Sequence, residues 1–243
     1  GSLRGWLFGG VLAVLVLVAI FAPLIAPYDP ARQALENALQ SPSWAHLAGT
    51  DEFGRDIFSR LVYGTRITIQ TVLSVSVIVG PIGLAIGVMA GFFGGRTDAI
   101  LMRATDIVLS FPSLVLALAF AAAMGAGLGT AIIAISLTAW PPIARLARAE
   151  ALVVRNTDYV AAARLYGASP LRILFLYIAP MCIPSVIVRL TLNMAGIILT
   201  AASLGFLGLG AQPPLPEWGA MISSGRKFML DYWWVAVMPG IAI

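Results

Sequence analysis

The sequence predicts an all-α, polytopic membrane protein, a bundle of about six transmembrane helices, and three observations predict it. Hydrophobic residues make up 60% of the 243 and charged residues only 11%, against about 25% charge in an ordinary soluble domain. Two long runs, Gly5–Tyr28 and Ile67–Gly95, contain no Asp, Glu, Lys or Arg. Each exceeds the ~20 residues that cross a hydrocarbon core as helix. Finally, a polar, cationic island from Asp158 to Pro180 stands between apolar runs and has to lie outside the hydrocarbon.

The first element is a transmembrane helix within residues 1–28, its span near 5–27. Its apolar run is longer than the 7–15-residue core of a cleaved signal peptide and is closed by Pro23, Pro27 and Tyr28. Residues 29–65 follow as a polar outer segment carrying HLAGTDEFGRDIFSRL (His46 to Leu61). Gly49, Thr50 and Asp51 read as turn chemistry, and Gly54, Arg55 and Asp56 as a turn entering an amphipathic helix with Ile57, Phe58, Leu61 and Val62 on one face. His46, Asp51, Glu52 and Asp56 match no standard metal spacing, so capping and local ion pairing by Asp51, Arg55 and Asp56 are expected there instead of a metal.

Residues 66–243 form the core of the bundle, with spans near 66–93, 99–124, 129–149 and 178–205 and a sixth beginning near Tyr232. Twelve residues at the end rise only ~18 Å as helix, so the sixth helix is expected to be incomplete, with residues missing at both termini. In the second span Gly83, Gly87 and Gly91, continued by Gly95, form a four-residue stripe that lets another helix approach closely. Pro112 and Pro141-Pro142 interrupt or bound spans. Arg189 lies inside the fifth span with Asn193 one turn on. A charge at that depth faces protein or water along a translocation path, or its long stem snorkels to the headgroups. After that span, Gly205, Gly208, Gly210, Pro213, Pro214 and Pro216 cannot continue a helix, and Trp218, Trp233 and Trp234 suit a membrane interface.

Loop charge sets the orientation. One side collects Arg4, Arg96, Arg103, Arg145, Arg148, Arg155, Arg164 and Arg172, the other Arg32, Arg55, Arg60, Arg66, Arg226 and Lys227. The richer side, which holds the loop at 150–176, is read as cytoplasmic. The basic residues are dispersed, with no aromatic-basic platform for nucleic acid. Cys182 is the only cysteine, so no intrachain disulfide forms. The chain has no GxxxxGK[ST] phosphate loop, and no HExxH, GxSxG or CxxC. It therefore reads as a non-enzyme without a metal or cofactor of its own. No midspan carboxylate relay is visible for proton coupling. Energy has to come from another subunit, or the chain is a passive conduit.

The polar island spells a helix-turn-helix. Asn156, Thr157 or Asp158 caps a first helix that contains Tyr159, Ala161, Ala162, Ala163 and Arg164. Tyr166 precedes Gly167, which suits the left-handed position closing that helix, and Ser169-Pro170 reads as N-cap and first residue of the next.

At these residues the chain resembles the integral-membrane subunits of ATP-binding-cassette importers, which share the loop pattern EAA-x3-G-x9-I-x-L-P. Here it runs Ala161-Ala162-Ala163, Gly167, then Tyr177-Ile178-Ala179-Pro180. The spacing is kept, while Ala161 replaces the leading Glu, and Tyr177 and Ala179 the usual Ile and Leu. GTDEFGRDIFSRLVYGTR (Gly49–Arg66) and LGFLGLGAQPPLPEWGAMI (Leu204–Ile222) further resemble the second, C-type permease of the dipeptide/oligopeptide/nickel importers. The resemblance implies the type I importer permease fold in a bacterial cytoplasmic membrane and a heterodimer with a homologous permease. It also implies two cytoplasmic ATPases that bind ATP and Mg, and a periplasmic or lipid-anchored substrate-binding protein. Peptides are the implied cargo, with nickel chelates or glutathione as alternatives. The 158–176 loop, through its residues Asp158 to Pro170, would then transmit ATPase movement to the spans. A rival without ATPases, a secondary transporter or channel, would need internal symmetry or midspan ion ligands, and neither is visible.

Overall fold

The computed structural model describes residues 13–243. Every regular element among the described residues is helical: α1 (13–20), α2 (Ala22–Ile25), α3 (Ile57–Phe93), α4 (Gly95–Leu109), α5 (Ser113–Met124), α6 (Leu128–Ala139), α7 (Pro141–Val154), α8 (Asp158–Leu165), α9 (Pro170–Ile173), α10 (Ala179–Phe206), α11 (Trp218–Gly225) and α12 (Trp234–Ala242). A π-helical turn, Leu174–Ile178, joins α9 to α10. Three continuous stretches are long and apolar enough to cross a membrane: Ile57–Phe93, Leu128–Val154 and Pro170–Phe206. A fourth arises if α4 and α5 count as one broken span. The first predicted span falls partly on residues 1–12, outside the described residues. The sixth corresponds to α12.

The chain divides into two compact units, one of Gly1–Leu73, Ala121–Ala131 and Ile198–Ile243, the other of Ser74–Phe120 and Ile132–Ile197. In the first, a core of Ala48, Ile57, Trp218, Met221, Trp234 and Val235 gathers the 29–56 segment, the start of α3, α11 and α12. Gly225 gives α11 and α12 close approach, since a Cβ there would lie 2.8 Å from the Val235 backbone. Glu217 caps α11 by accepting from the Gly219 and Ala220 N–H groups at 2.9 and 2.7 Å. Burial pushes its carboxyl above the ordinary range, opposed by those two bonds.

In the second unit, α7 packs along the glycine face of α3. A Cβ on Gly83 would sit 2.7 Å from that of Ile143, and one on Gly91 2.8 Å from that of Ala151. A Cβ on Gly87 would run into the Ala144 carbonyl oxygen and the Ala147 methyl. The stripe stops there. α3 ends at Phe93, Gly94 and Gly95 turn the chain with φ of 65° and 51°, and nothing lies within 4 Å of a Cβ built on Gly95.

The structure departs from the sequence reading in three further places. The amphipathic helix of 29–65 and the span from 66 are one helix, α3, running unbroken from Ile57 to Phe93 even through Pro81; Gly64 serves contact, having no room for a Cβ against the Trp218 indole. The span placed at 99–124 breaks at Ser110–Pro112, and α4 and α5 meet at 86°. The proline has no N–H to extend α4 and biases Phe111 away from helix. Trp218 and Trp234 are buried, donating to the Leu61 and Thr50 carbonyls at 3.2 and 3.4 Å, so of the three tryptophans only Trp233 is exposed.

Candidate functional site

The polar island folds as its residues dictate. Thr157, in extended backbone, precedes α8, whose bounds are Asp158 and Leu165. The side-chain cap expected there is not made: the Thr157 hydroxyl donates back to Val154 O at 2.8 Å and the Asn156 amide to Leu152 O at 3.0 Å. At the other end, Gly167 has φ 78°; its N–H donates to Arg164 O at 3.0 Å and that of Ala168 to Ala163 O at 3.1 Å. This pair of bonds is the Schellman closure, satisfying carbonyls that α8 leaves open. Ser169 then caps α9, accepting from Arg172 N at 3.3 Å, with Pro170 in the first turn.

α8 has two faces. Val160 and Ala163 are buried, and Tyr159 meets the Tyr177 ring at a centroid distance of 5.2 Å. Asp158, Ala161, Ala162, Arg164, Leu165, Tyr166, Gly167, Ser169 and Pro170 are exposed, Tyr166 at 92%. Ala163 therefore faces inward, one turn from Val160, and does not belong with Ala161 and Ala162 on the outward surface. What remains outward is a short amphiphilic face with an aromatic and an arginine, the composition of interface anchors.

α7 leads into α8 through Arg155, Asn156 and Thr157. It is tied to its neighbours by groups that the sequence reading assigned only to loop charge. Arg148 donates twice to Asp98, Nε to Oδ1 and Nη2 to Oδ2, both at 2.5 Å. Arg145 donates to Asp106 at 2.6 Å, and Arg155 to the Gly91 carbonyl at 2.7 Å. Fifty residues separate Asp98 from Arg148, so no local pattern announces the pair.

Arg189 is exposed on α10 and opens onto a groove of about 420 Å³ shared with Leu146, Glu150, Ser185 and Val188. Ser185 donates to Glu150 at 2.9 Å. Asn193 is half-buried and lies outside that lining, so the structure does not bring it to Arg189's groove. Glu150, missed by the sequence reading, is the carboxylate that shares Arg189's surroundings.

In the 29–62 region, Asp51 accepts from Phe53 N and Arg55 N, both at 2.9 Å, and from Arg55 Nε at 2.6 Å. Asp56 accepts from Ser59 N at 2.7 Å in the first turn of α3 and meets His46 Nδ1 at 2.9 Å. Thr50 accepts from Gln40 N at 2.8 Å, and Gly49 and Gly54 both have positive φ. The capping and ion pairing expected of Asp51, Arg55 and Asp56 are present. Arg60, unforeseen, joins them 3.8 Å from Asp51 and donates to Pro30 O at 3.0 Å.

Long apolar helices, with a short amphiphilic helix exposed between two of the spans, define a multi-pass membrane protein. Comparison with known proteins makes this specific. The chain belongs to the family of binding-protein-dependent transport system inner membrane components, which matches residues 83–243. Residues 4–42 match the N-terminal TM domain of oligopeptide transport permease C. The chain is 45% identical, over all of its length and 81% of the relative's, to the di/tripeptide transport system permease protein DppC of Pseudomonas aeruginosa. It is 47% identical to the probable D,D-dipeptide transport system permease protein DdpC of Escherichia coli, over 96% of this chain and 78% of the relative. Identity to the Escherichia coli dipeptide transport system permease protein DppC is 46%, over 99% and 82%.

Proposed function

We propose that this chain is the C-type permease subunit of an ATP-binding-cassette importer that carries di- or oligopeptides across a bacterial cytoplasmic membrane. Its partners in this reading are a homologous permease, two cytoplasmic ATPases and a periplasmic or lipid-anchored substrate-binding protein, and hydrolysis of ATP belongs to the ATPases. The observation that carries it is the outward face of α8, closed by Gly167 and set between two apolar stretches, in a chain whose relatives over nearly its full length are named peptide permeases.

Mechanically, ATP binding moves a permease only if the ATPases bind one of its conformations better than another. A short helix held by Val160 and Ala163 on its inner side, with Ala161, Ala162, Leu165 and Tyr166 outward, can fill a groove on an ATPase and carry its displacement into α7 and α10. Arg189 lines the translocation path in this reading, because a guanidinium within a spanning helix has to face protein or water.

Two experiments test this. Replacing Gly167 with Val forces a β-branched residue into left-handed backbone, at a cost of about 1–2 kcal/mol. No neighbour lies within 4 Å of a Cβ there, so the effect is confined to the turn. Gly167→Val in the intact complex should retain a folded membrane bundle and lose peptide transport, while Gly167→Asn, which tolerates that backbone, should keep most of it. Full transport by Gly167→Val overturns the docking role. The second experiment measures uptake by Arg189→Leu in the assembled complex with a labelled dipeptide, a nickel chelate and glutathione in turn. Loss of dipeptide uptake without loss of assembly is expected. Unchanged uptake removes Arg189 from the path, and uptake of the chelate or glutathione alone by the complex with Arg189 intact replaces the peptide assignment.

A further inference from the structure

The geometry points to Asp98, Arg148 and Arg155 as positioning residues that lock α7 in axial register with the α3–α4 corner, so that displacement of α8 moves that corner. The inference rests on the reading above that α8 docks on an ATPase. It concerns what happens one step further into the membrane subunit.

The glycine stripe of α3 and the Ile143, Ala144, Ala147 and Ala151 face of α7 make a close contact of small side chains. Such a surface holds two helices together without polar groups that fix their register. A lever needs that register fixed. Three arginines of one segment supply it at separate points. Arg155, directly after α7, donates to the Gly91 carbonyl in the last turn of α3, where helix carbonyls lack intrahelical partners and a cation is favoured. Arg148 makes its two-pronged bond to Asp98 in the first turn of α4. Arg145 reaches Asp106 in the last turn of α4. The acids ascend α4 as the arginines descend α7, so the pairs run antiparallel along both helices.

The contacts are unequal. Side-chain exposure is 34% and 20% for Arg148 and Asp98, against 55% and 53% for Arg145 and Asp106. A planar, bidentate and half-shielded pair fixes distance and angle, whereas an exposed single bond is screened by water. Asp98–Arg148 therefore sets the register and Arg145–Asp106 follows it. The fixed point lies close to the docking helix, since only Arg155, Asn156 and Thr157 separate α7 from α8.

The test uses the whole transporter in proteoliposomes and reads labelled dipeptide moved per ATP hydrolysed. Asp98→Asn and Arg148→Lys should each lower that ratio, Asp98→Asn by about tenfold, the scale of one lost charge-assisted bond. ATP hydrolysis should continue in both. Combining Asp98→Arg with Arg148→Asp should recover part of what either change alone destroys, a rescue that loss of packing would not give. A wild-type ratio in Arg148→Lys, or a double swap no better than its singles, overturns the inference. If Asp98→Asn does not assemble, Arg148→Lys, which keeps the charge and loses the fork, decides. The docking reading is checked separately. The only native cysteine, Cys182, is buried, so Tyr166→Cys offers one accessible thiol for cross-linking to the ATPase. No cross-link sinks docking itself; a cross-link in every variant with an unchanged ratio sinks only the positioning role.

Discussion

The molecule holds two clusters of acids and arginines that solve the same problem in opposite ways. Around Asp51, in the first unit, Asp51, Arg55, Asp56 and Arg60 are each 7% exposed or less, and their oxygens and nitrogens are taken up by backbone as well as by one another. Between α4 and α7, in the second unit, the pairs remain partly in water and bond side chain to side chain. A buried network of the first kind has one arrangement, because any break leaves a desolvated charge. Of the second kind, the exposed single bond Arg145–Asp106 exchanges with water at little cost, while the two-pronged Asp98–Arg148 pair keeps a defined geometry without full burial. The first cluster holds a folded segment together, and the second ties α7 to α4.

The comparison can be broken at three points of decreasing size. Asp51→Ala removes the acceptor for Phe53 N, Arg55 N and Arg55 Nε and leaves Arg55 and Arg60 buried without their carboxylate. The expected loss is about 3–5 kcal/mol, read as a collapse in the yield of folded complex or a large fall in its Tm. A near-normal Tm would show that the 46–60 cluster does not hold its unit. Gly87→Leu tests what holds the second unit if its ion pairs do not. The added side chain meets the Ala144 carbonyl and the Ala147 methyl, and overpacking there should cost at least about 1–3 kcal/mol. Gly129→Ala, at a position with nothing within 4 Å, is the silent control for thermal melting. Arg145→Gln should be the smallest, about 0.2–1 kcal/mol, and the wild-type advantage should shrink as salt is raised. A loss as large as that of Asp51→Ala would erase the distinction between the clusters.

Local chemistry made much of the candidate site legible. Helix α8 stops where Gly167 places it, because left-handed closure is decided by residues within one turn, while its start at Asp158 carries no side-chain cap. The bonds of Asp51 to Phe53 and Arg55, and of Asp56 to Ser59, were equally local, spanning four residues or fewer, whereas Asp56 reaches His46 ten residues away. Arg60 escaped notice because its position inside α3 reads as part of an amphipathic helix until Pro30, thirty residues away, supplies its acceptor.

By itself, then, the sequence determined the membrane class, the apolar stretches, the turn at Gly167 and the small-residue face of α3. Each of these follows from composition or from periodicity within one element, where the free energy is set by neighbours in the chain. Tertiary structure decided which helix lies on that face, that the indoles of Trp218 and Trp234 turn inward, that Ala163 is buried beneath α8 while Ala161 and Ala162 are not, and that Asp98 meets Arg148. Those outcomes depend on close approach between residues far apart in sequence, where a pattern states what a face can accept and only packing selects the partner.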